Sequence, residues 1–203
     1  MARDLRPKHK LCRKFGEKLC DSPKCPVTRR SYPAGQHGPN QKGMKKLSSF
    51  GKQLREKQKV KRIYGLLERQ FSNYVAEASR KTGDTSQFLL NYLESRLDNV
   101  VYRLGLAPSR SAARQLVNHG HILVNGKKID IPSYRVKVGE VVALKEKTKT
   151  SKLFENISEK LAKLEAPSWL NPDPKTLSGK ILNLPTAERP NFDTSLIVEF
   201  YSR

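Results

Sequence analysis

Residues 95–126 constrain the fold of this chain most strongly, because their pattern predicts two short helices followed by a β-hairpin. Ser95 followed by Asp98 fits a capping box at the start of the first helix. Ser109 provides a cap for the second helix, whose apolar side is built from alanine, leucine and valine. The dipeptide Asn125-Gly126, set between alternating apolar residues, is a strong signal for a tight hairpin turn. The pattern therefore predicts a helix-turn-helix joined to a small antiparallel sheet.

The sequence on either side of this block predicts further elements. Three helices are expected before it, at residues 51–62, 67–81 and 86–92. After it, a helix is expected from Ser151 onward. Five prolines between residues 166 and 192 predict a long wrap with at most one short helix, near 176–182. The composition of residues 196–201 is typical of a strand.

The net charge indicates what kind of partner the chain has. It carries 40 Lys and Arg against 19 Asp and Glu, a formal net charge of +21, which a polyanion would neutralise. Residues 1–62 hold 19 Lys and Arg against 4 Asp and Glu, and residues 94–150 hold 11 against 5. Residues 63–93 and 151–203 are each neutral. We therefore expect the two basic segments to face RNA and the two neutral segments to form a scaffold.

A membrane is a poor candidate for that polyanion. No apolar run approaches the roughly 20 residues that span a bilayer. Residues 1–10 are basic but lack the apolar segment of a secretory signal. We therefore expect a cytoplasmic protein with no membrane partner.

The three cysteines suggest a metal site in the first 30 residues. A candidate Cys₃His ligand set consists of His9, Cys12, Cys20 and Cys25. The first two are separated by two residues and the last two by four, and both spacings are within the range of structural zinc sites. Three thiols without metal on an irregular arm are an equal alternative from the spacing alone. An iron–sulfur cluster is a less favoured alternative, because histidine is an uncommon ligand there.

Taken together, the patterns predict an α+β fold. A helical domain is interrupted by an inserted small helix-turn-helix and antiparallel-sheet domain that binds RNA, and an irregular metal-bound arm precedes both. The expected boundaries are 1–50 for the arm, 51–93 with 151–203 for the scaffold, and 94–150 for the inserted domain.

Several runs closely resemble the RNA-binding domain named after small-subunit ribosomal protein four. They lie at residues 96–105, 109–110, 113–117, 119–122 and 124–126. That domain also occurs in pseudouridine synthases, a heat-shock ribosome-binding protein and some tyrosyl-tRNA synthetases. The flanks at residues 29–38, 54–65 and 199–203 resemble the ribosomal protein family itself, so the resemblance covers essentially the whole chain.

The resemblance implies a function that composition alone does not. Members of this family bind the five-prime domain of small-subunit ribosomal RNA during assembly, lie near the messenger RNA entry channel beside small-subunit protein five, and influence decoding accuracy. Zinc-bearing members have four cysteines, and His9 stands where the first would be, which favours zinc over unligated thiols.

The predicted RNA contacts are polar residues of the basic segments. In the arm they are Arg6, Lys8, Lys10, Arg13, Lys14, Arg29, Arg30 and His37. In the basic helix they are Lys52, Arg55, Lys59 and Arg62. In the inserted domain they are Arg110, Arg114, Gln115, His119, His121, Lys127 and Lys128.

An RNA-modifying enzyme that uses the same domain for targeting is the alternative function. It would need a catalytic domain of about 150 residues, and the neutral segments are shorter and carry no recognisable acid–base arrangement. We therefore expect a structural protein without enzymatic activity and without a small-molecule substrate.

Overall fold

The computed structural model describes residues 7–20, 22–39, 47–149, 154, 161, 166–185 and 192–202. The chain folds into two compact units. The first contains residues 1–89 together with 190–203, and the second contains residues 90–189.

The described part of the first unit is helical. Its elements are α1 (Lys8–Phe15), a 3₁₀ turn (Pro26–Thr28), α2 (Ser49–Ile63), α3 (Glu68–Ser79) and a C-terminal helix (Thr194–Tyr201), with α4 (Thr85–Glu94) running across the boundary to the second unit. Ser48 caps α2 by accepting a hydrogen bond from the backbone N–H of Gly51. The three helices predicted before the central block are thus confirmed as α2, α3 and α4.

The C-terminal helix packs against α2 and α3. The ring of Phe200 lies 5.6 Å from that of Phe50, and the ring of Tyr201 lies 6.2 Å from that of Phe71. Gln53 Nε2 donates a hydrogen bond to Glu199 Oε2 at 2.8 Å. The end of the chain therefore completes the core of a helical unit whose other members lie more than a hundred residues earlier.

The second unit combines short helices with a sheet. Its elements are α5 (Leu97–Arg103), α6 (Arg110–Asn118), β1 (Ile122–Val124), β2 (Lys127–Lys128), β3 (Val141–Leu144), α7 (Glu146–Lys149), β4 (Leu170–Asp173) and β5 (Ser178–Ile181). All strand pairs are antiparallel, and the order across the sheet is β2-β1-β3-β5-β4.

Buried apolar residues from α5, α6 and the sheet form one core in this unit. Leu97, Val101 and Ala113 from the helices join Ile122 and Val142 from the strands, and each is fully buried. At the hairpin, Asn125 and Gly126 have φ of 48° and 78°, as a turn that follows the twist of the strands requires. The predicted helix-turn-helix, hairpin and α+β fold are therefore confirmed.

The second half of the chain departs from the sequence-based expectation in two places. Residues 176–182 were expected to hold a short helix, but Ser178–Ile181 form β5 and pair with β3. Pro172 is accommodated in β4 because that strand lies at the edge of the sheet, where a missing N–H costs no ladder bond. Residues 196–201 were expected to form a strand but are helical, because packing against α2 and a cap from Asp193 outweigh local propensity.

Two further expectations have different outcomes. The predicted capping box at Ser95 and Asp98 is wrong, because Arg96 occupies the N-cap position of α5 and no side chain makes a capping hydrogen bond to this helix. The helix predicted from Ser151 onward lies almost wholly outside the described residues. Phe154 and Leu161 are described there, and both are buried in the core of the second unit.

Candidate nucleic-acid interface and cysteine cluster

Helix α6 presents a narrower polar face than its sequence suggests. Ser109 caps it by accepting a hydrogen bond from the backbone N–H of Ala112. Arg110 is partly buried and Gln115 is exposed, but Arg114 is only 7% exposed. Arg114 therefore points away from solvent, toward α5, although it was predicted as an RNA contact together with Arg110.

A buried carboxylate explains the orientation of Arg114. Arg96 is fully buried and binds Asp98 with two hydrogen bonds, Nε to Oδ1 at 3.0 Å and Nη2 to Oδ2 at 2.7 Å. Arg114 Nη1 lies 3.9 Å from the same Oδ2. One carboxylate thus faces two guanidinium groups inside the second unit.

A second network of polar side chains holds Arg110. Its Nε donates to Asn99 Oδ1 at 2.9 Å, and its guanidinium carbon lies 4.5 Å from the centre of the Tyr102 ring. Asn99 in turn donates from Nδ2 to Glu94 Oε2 at 2.8 Å. Arg103 completes the network with two hydrogen bonds to the same carboxylate.

The hairpin carries exposed cations next to the end of α6. Lys127 and Lys128 in β2 are both exposed. A Cβ atom at Gly120 would lie 2.1 Å from Lys128 Cε, and Gly120 itself has φ of 69°. Glycine at this position therefore lets the stem of Lys128 lie across the turn that follows α6.

The two predicted histidines lie on this same turn. His119 is exposed, and its ring centre lies 6.1 Å from that of His121. His121 Nδ1 is 3.0 Å from the hydroxyl of Thr148 in α7, so the second ring is fixed by a neighbouring helix. Gln115, His119, Lys127 and Lys128 form the exposed part of the predicted contact set in this unit, and we refer to them with Arg110 as the α6–hairpin face.

Helix α2 uses much of its charge internally. Lys59 is 6% exposed and its Nζ lies 2.6 Å from Glu17 Oε2. Arg55 donates from Nη2 to the carbonyl of Phe15 at 2.6 Å. Lys52 is exposed and Arg62 is partly buried. Of the four predicted contacts in this helix, Lys59 and Arg55 therefore fasten the arm to the helix.

Glu68 binds two further lysines of α2 that the sequence did not single out. Lys57 and Lys61 donate to its two carboxylate oxygens at 2.7 and 2.6 Å, and the hydroxyl of Tyr201 donates to Oε1 at 2.8 Å. Burial alone would raise the pKa of Glu68, but these hydrogen bonds outweigh it and lower the pKa to about 2. Burial and the same carboxylate raise the pKa of Tyr201.

The arm is held together by polar contacts around Arg13. Its Nε and Nη2 donate to the carbonyls of Tyr32 and Pro33, each at 3.0 Å, and its guanidinium stacks on the Tyr32 ring at 4.8 Å. A Cβ at Gly38 would lie 2.0 Å from the carbonyl oxygen of Pro33, so this loop closes tightly on itself. The other described cations and the histidine that were predicted as RNA contacts in the arm are exposed: Lys8, Lys10, Lys14, Arg29, Arg30 and His37. Arg6 lies outside the described residues.

The four predicted metal ligands come together in the folded arm. The ligand atoms of His9, Cys20 and Cys25 all lie within 4.8 Å of one another, with 3.8 Å between Cys20 Sγ and His9 Nδ1. Cys12 is outside that group of three but is buried in the same cluster, against Cys20 and Cys25. Helix α1 supplies His9 and Cys12, and the segment around the 3₁₀ turn supplies Cys25.

The cluster places its thiols in unequal electrostatic surroundings. Burial raises the pKa of Cys12 to about 11, and the neighbouring thiols add to that rise. Burial also acts to raise the pKa of Cys25, but a hydrogen bond from the backbone of Val27 and contacts with His9, Cys20 and Cys12 lower it to about 7. One of the three sulfurs is therefore prepared to be a thiolate near neutral pH.

Sequence reasoning missed Glu94, Asn99 and Tyr102, which surround Arg110. Each lies within ten residues of the next, but no motif marks them. The available signal was the polar residue Asn99 inside an apolar helical stripe, since a polar group at a core position needs a buried partner. Lys57 was missed because nothing in the sequence distinguishes it from the other cations of the basic helix α2.

Comparison with known proteins also divides the chain near residue 94. Residues 3–94 match the family described as ribosomal protein S4/S9 N-terminal domain, and residues 95–142 match the S4 domain. The chain is 52% identical to small ribosomal subunit protein uS4 of Acetivibrio thermocellus, 51% identical to that of Heliobacterium modesticaldum and 48% identical to that of Thermus thermophilus. Each alignment covers 100% of this chain and 100% of the relative.

The fold and these matches define a ribosomal protein that carries an S4 domain. The chain belongs to the family of small ribosomal subunit protein uS4, a structural component of the ribosome and not an enzyme. The predicted family and location in the ribosome are therefore confirmed. Among the described residues, no helix is both long and apolar enough to cross a bilayer.

Proposed function

We propose that the chain binds the five-prime domain of small-subunit ribosomal RNA as a primary assembly protein. In the subunit it would lie beside small-subunit protein five, near the messenger RNA entry region, and contribute to translational accuracy. The observation that carries RNA binding is the α6–hairpin face, where exposed polar and basic groups lie on the outer side of a module whose inner side is an apolar core.

The contacts proposed on this face are of two chemical kinds. Lys127 and Lys128 are exposed point charges suited to phosphate oxygens. Arg110 is a planar fork already ordered by Asn99 and Tyr102, which suits it to two acceptors at once. The exposed arm residues Arg29 and Arg30 would add a second, separate group of phosphate contacts.

Replacement of Lys127 and Lys128 by alanine tests the face directly. We expect weaker binding to a transcript of the five-prime domain, with a salt slope flatter by roughly 0.7–0.9 for each phosphate that is no longer neutralised. The matched control is the double substitution Lys137→Ala and Lys175→Ala, which removes the same charge at two exposed sites of the second unit. Equal slopes for the two double variants would show that only the net charge acts.

We also propose that the arm holds one structural zinc ion through His9, Cys12, Cys20 and Cys25. In a tetrahedral site with Zn–S bonds of about 2.3 Å, the sulfur atoms lie roughly 3.8 Å apart. The separations among His9, Cys20 and Cys25 are compatible with this arrangement, and Cys12 lies in contact with two of the three. The lowered pKa of Cys25 further supports a cation site.

Metal analysis of the purified chain tests this part separately. We expect about one zinc per chain by mass spectrometry, and loss of the metal in a Cys12→Ser, Cys20→Ser variant. Full titration of three thiols in metal-free wild-type protein would argue for unligated cysteines. An iron content with visible absorption would favour the cluster alternative.

The domain organisation is proposed in the form that the sequence predicts, with one extension. The arm would span residues 1–50, the scaffold 51–93 with the C-terminal helix, and the RNA-binding domain would begin at 94. Since β5 pairs with β3, residues 170–181 would belong to the RNA-binding domain. A fragment of residues 94–185 should then unfold cooperatively. A fragment ending at residue 150 would lack Trp169, so the core residues that Trp169 covers would be exposed and the fragment should be less stable.

A further inference from the structure

We propose that Glu94 and Asn99 position Arg110 for RNA through a hydrogen-bond relay from a buried carboxylate to the guanidinium. This inference rests on the proposed role of Arg110 as an RNA contact. It adds two residues that would not touch the RNA themselves.

The relay begins with two polar groups withdrawn from water. Glu94 is 3% exposed and Asn99 is 1% exposed. Asn99 Nδ2 donates to the backbone carbonyl of Glu94 at 2.9 Å and to its Oε2 at 2.8 Å. Carboxylate and carbonyl oxygens can only accept, so these two bonds fix which end of the Asn99 amide is the NH₂ group.

The fixed amide determines what faces Arg110. With Nδ2 committed to Glu94, the oxygen Oδ1 is turned to the other side, where it accepts from Arg110 Nε at 2.9 Å. An amide in the opposite orientation would present N–H groups to a cation and repel it. The carboxylate of Glu94 therefore determines, through the Asn99 side chain, that an amide oxygen and not an NH₂ group faces Arg110 Nε.

A second constraint acts on the same guanidinium. The Tyr102 ring lies 4.5 Å from the guanidinium carbon, a distance at which the ring face attracts the cation. The hydrogen bond at Nε fixes one edge of the guanidinium and the ring fixes its plane. An arginine held in this way loses less side-chain entropy when it binds phosphate than a freely rotating one.

The charge of the relay is balanced by Arg103 rather than by Arg110 alone. Arg103 donates to Glu94 Oε2 at 3.1 Å and to Oε1 at 3.0 Å, so the buried carboxylate already has a cationic partner. Asn99 therefore links this carboxylate to Arg110 through hydrogen bonds of a neutral amide, which set the orientation of the guanidinium.

A double-mutant cycle with the full-length chain separates positioning from stability. The four proteins are wild type, Asn99→Ala, Arg110→Ala and the double variant, and the probe is a transcript of the five-prime domain. We expect Asn99→Ala to weaken binding roughly 2- to 10-fold, the cost of ordering one flexible side chain. In the Arg110→Ala background, Asn99→Ala should have no further effect on affinity.

Two control variants test whether the effects in this cycle come from lost stability or from the chemical change itself. Val142→Ala destabilises the fully buried sheet core without touching the relay, and its effect should simply add to that of Arg110→Ala. Asn171→Ala makes the same chemical change at an exposed strand position and should leave affinity unchanged.

Additive effects of Asn99→Ala and Arg110→Ala would overturn the relay while leaving RNA binding intact. Absence of specific wild-type binding would overturn the proposed function and the relay with it. If Asn99→Ala does not fold, Arg110→Lys serves instead, because it keeps the charge but lacks the Nε–H. A wild-type affinity for Arg110→Lys would also overturn the proposal.

Discussion

The arm, residues 7–39, and the S4 module, residues 95–144, are fastened by different means. Within the described arm, the buried side chains are those of Cys12, Phe15, Cys20 and Cys25. The module buries a continuous apolar core to which the helices α5 and α6 and the strands β1 and β3 contribute. A short segment rich in cations cannot bury enough apolar surface to offset its conformational entropy, so it needs strong local links. Basic segments of similar charge can therefore be ordered by quite different interactions.

The largest expected effect is on the arm alone. Removal of the proposed zinc ion with a chelator, or the substitution Cys20→Ser, should abolish metal binding, which contributes on the order of 10 kcal/mol in small zinc peptides. Amide hydrogens of α1, such as that of Leu11, should then exchange rapidly, while those of Val100 and Leu144 stay protected. Hydrogen–deuterium exchange read by mass spectrometry measures both regions in one sample. Equal protection of α1 with and without metal would show that the arm needs no ion.

The next effect is expected inside the module, where one carboxylate faces two arginines. Asp98→Ala should destabilise it by about 3–5 kcal/mol, because two buried guanidinium groups lose their shared partner. Denaturation followed by the fluorescence of Trp169, which is 2% exposed and lies in the same apolar core, measures this effect. Asp130→Ala, at an exposed position, is the matched control and should cost little. A small cost for Asp98→Ala would mean that water compensates the arginines.

A cavity in the apolar core should have a comparable or slightly smaller effect. Leu104 is fully buried, and a Cβ placed at Gly179 in β5 would lie 2.2 Å from its Cδ2. Leu104→Ala should cost about 2–5 kcal/mol in the same fluorescence measurement. Leu182→Ala makes the identical change at a residue that is 43% exposed, and we expect at most about 0.5 kcal/mol there. Similar costs at both positions would argue against a single close-packed core.

The smallest effect concerns the ion pairs of the helical unit and depends on pH. Glu68→Gln should lower stability at pH 7 by less than about 1 kcal/mol, because this carboxylate is partly exposed. The pKa of Glu68 is lowered to about 2, so its contribution is complete above the ordinary glutamate pKa and disappears as the pH falls toward 2.

Urea midpoints at pH 7, 4 and 2.5 for wild type and Glu68→Gln test this sign. The gap between them should narrow steadily on acidification. Glu146→Gln, whose side chain is 85% exposed beside Lys149, is the control and should show almost no gap at any pH. A gap that widens in acid would show that protonated Glu68 is the stabilising form.

Much of the fold was predictable because local signals and packing agree in the first two-thirds of the chain. The Ser109 cap and the Asn125-Gly126 turn each have a backbone geometry that few other residues supply. The late strands were missed because Pro172 and Gly179 oppose strand formation locally. The structure explains both residues. Pro172 lies in an edge strand, and Gly179 packs so closely against Leu104 that no side chain would fit there.

The candidate site was predictable in composition but not in orientation. The cluster of His9, Cys12, Cys20 and Cys25 was found because cysteine and histidine are rare in so basic a segment. Arg114, Lys59 and Arg13 are cations that the fold uses internally, and a sequence does not reveal which of many cations has a buried acceptor. Charge counts identify a basic segment, whereas geometry decides which side chains remain available to a partner.

The two edge strands of the five-stranded sheet affect how free chains, not yet bound to a partner, associate with one another. β2 at one edge is only two residues long and consists of Lys127 and Lys128, and β4 at the other edge contains Pro172. Short, charged or proline-bearing edges are poor templates for another strand. The same lysines proposed to hold RNA would therefore also discourage newly made copies from aggregating through their sheets.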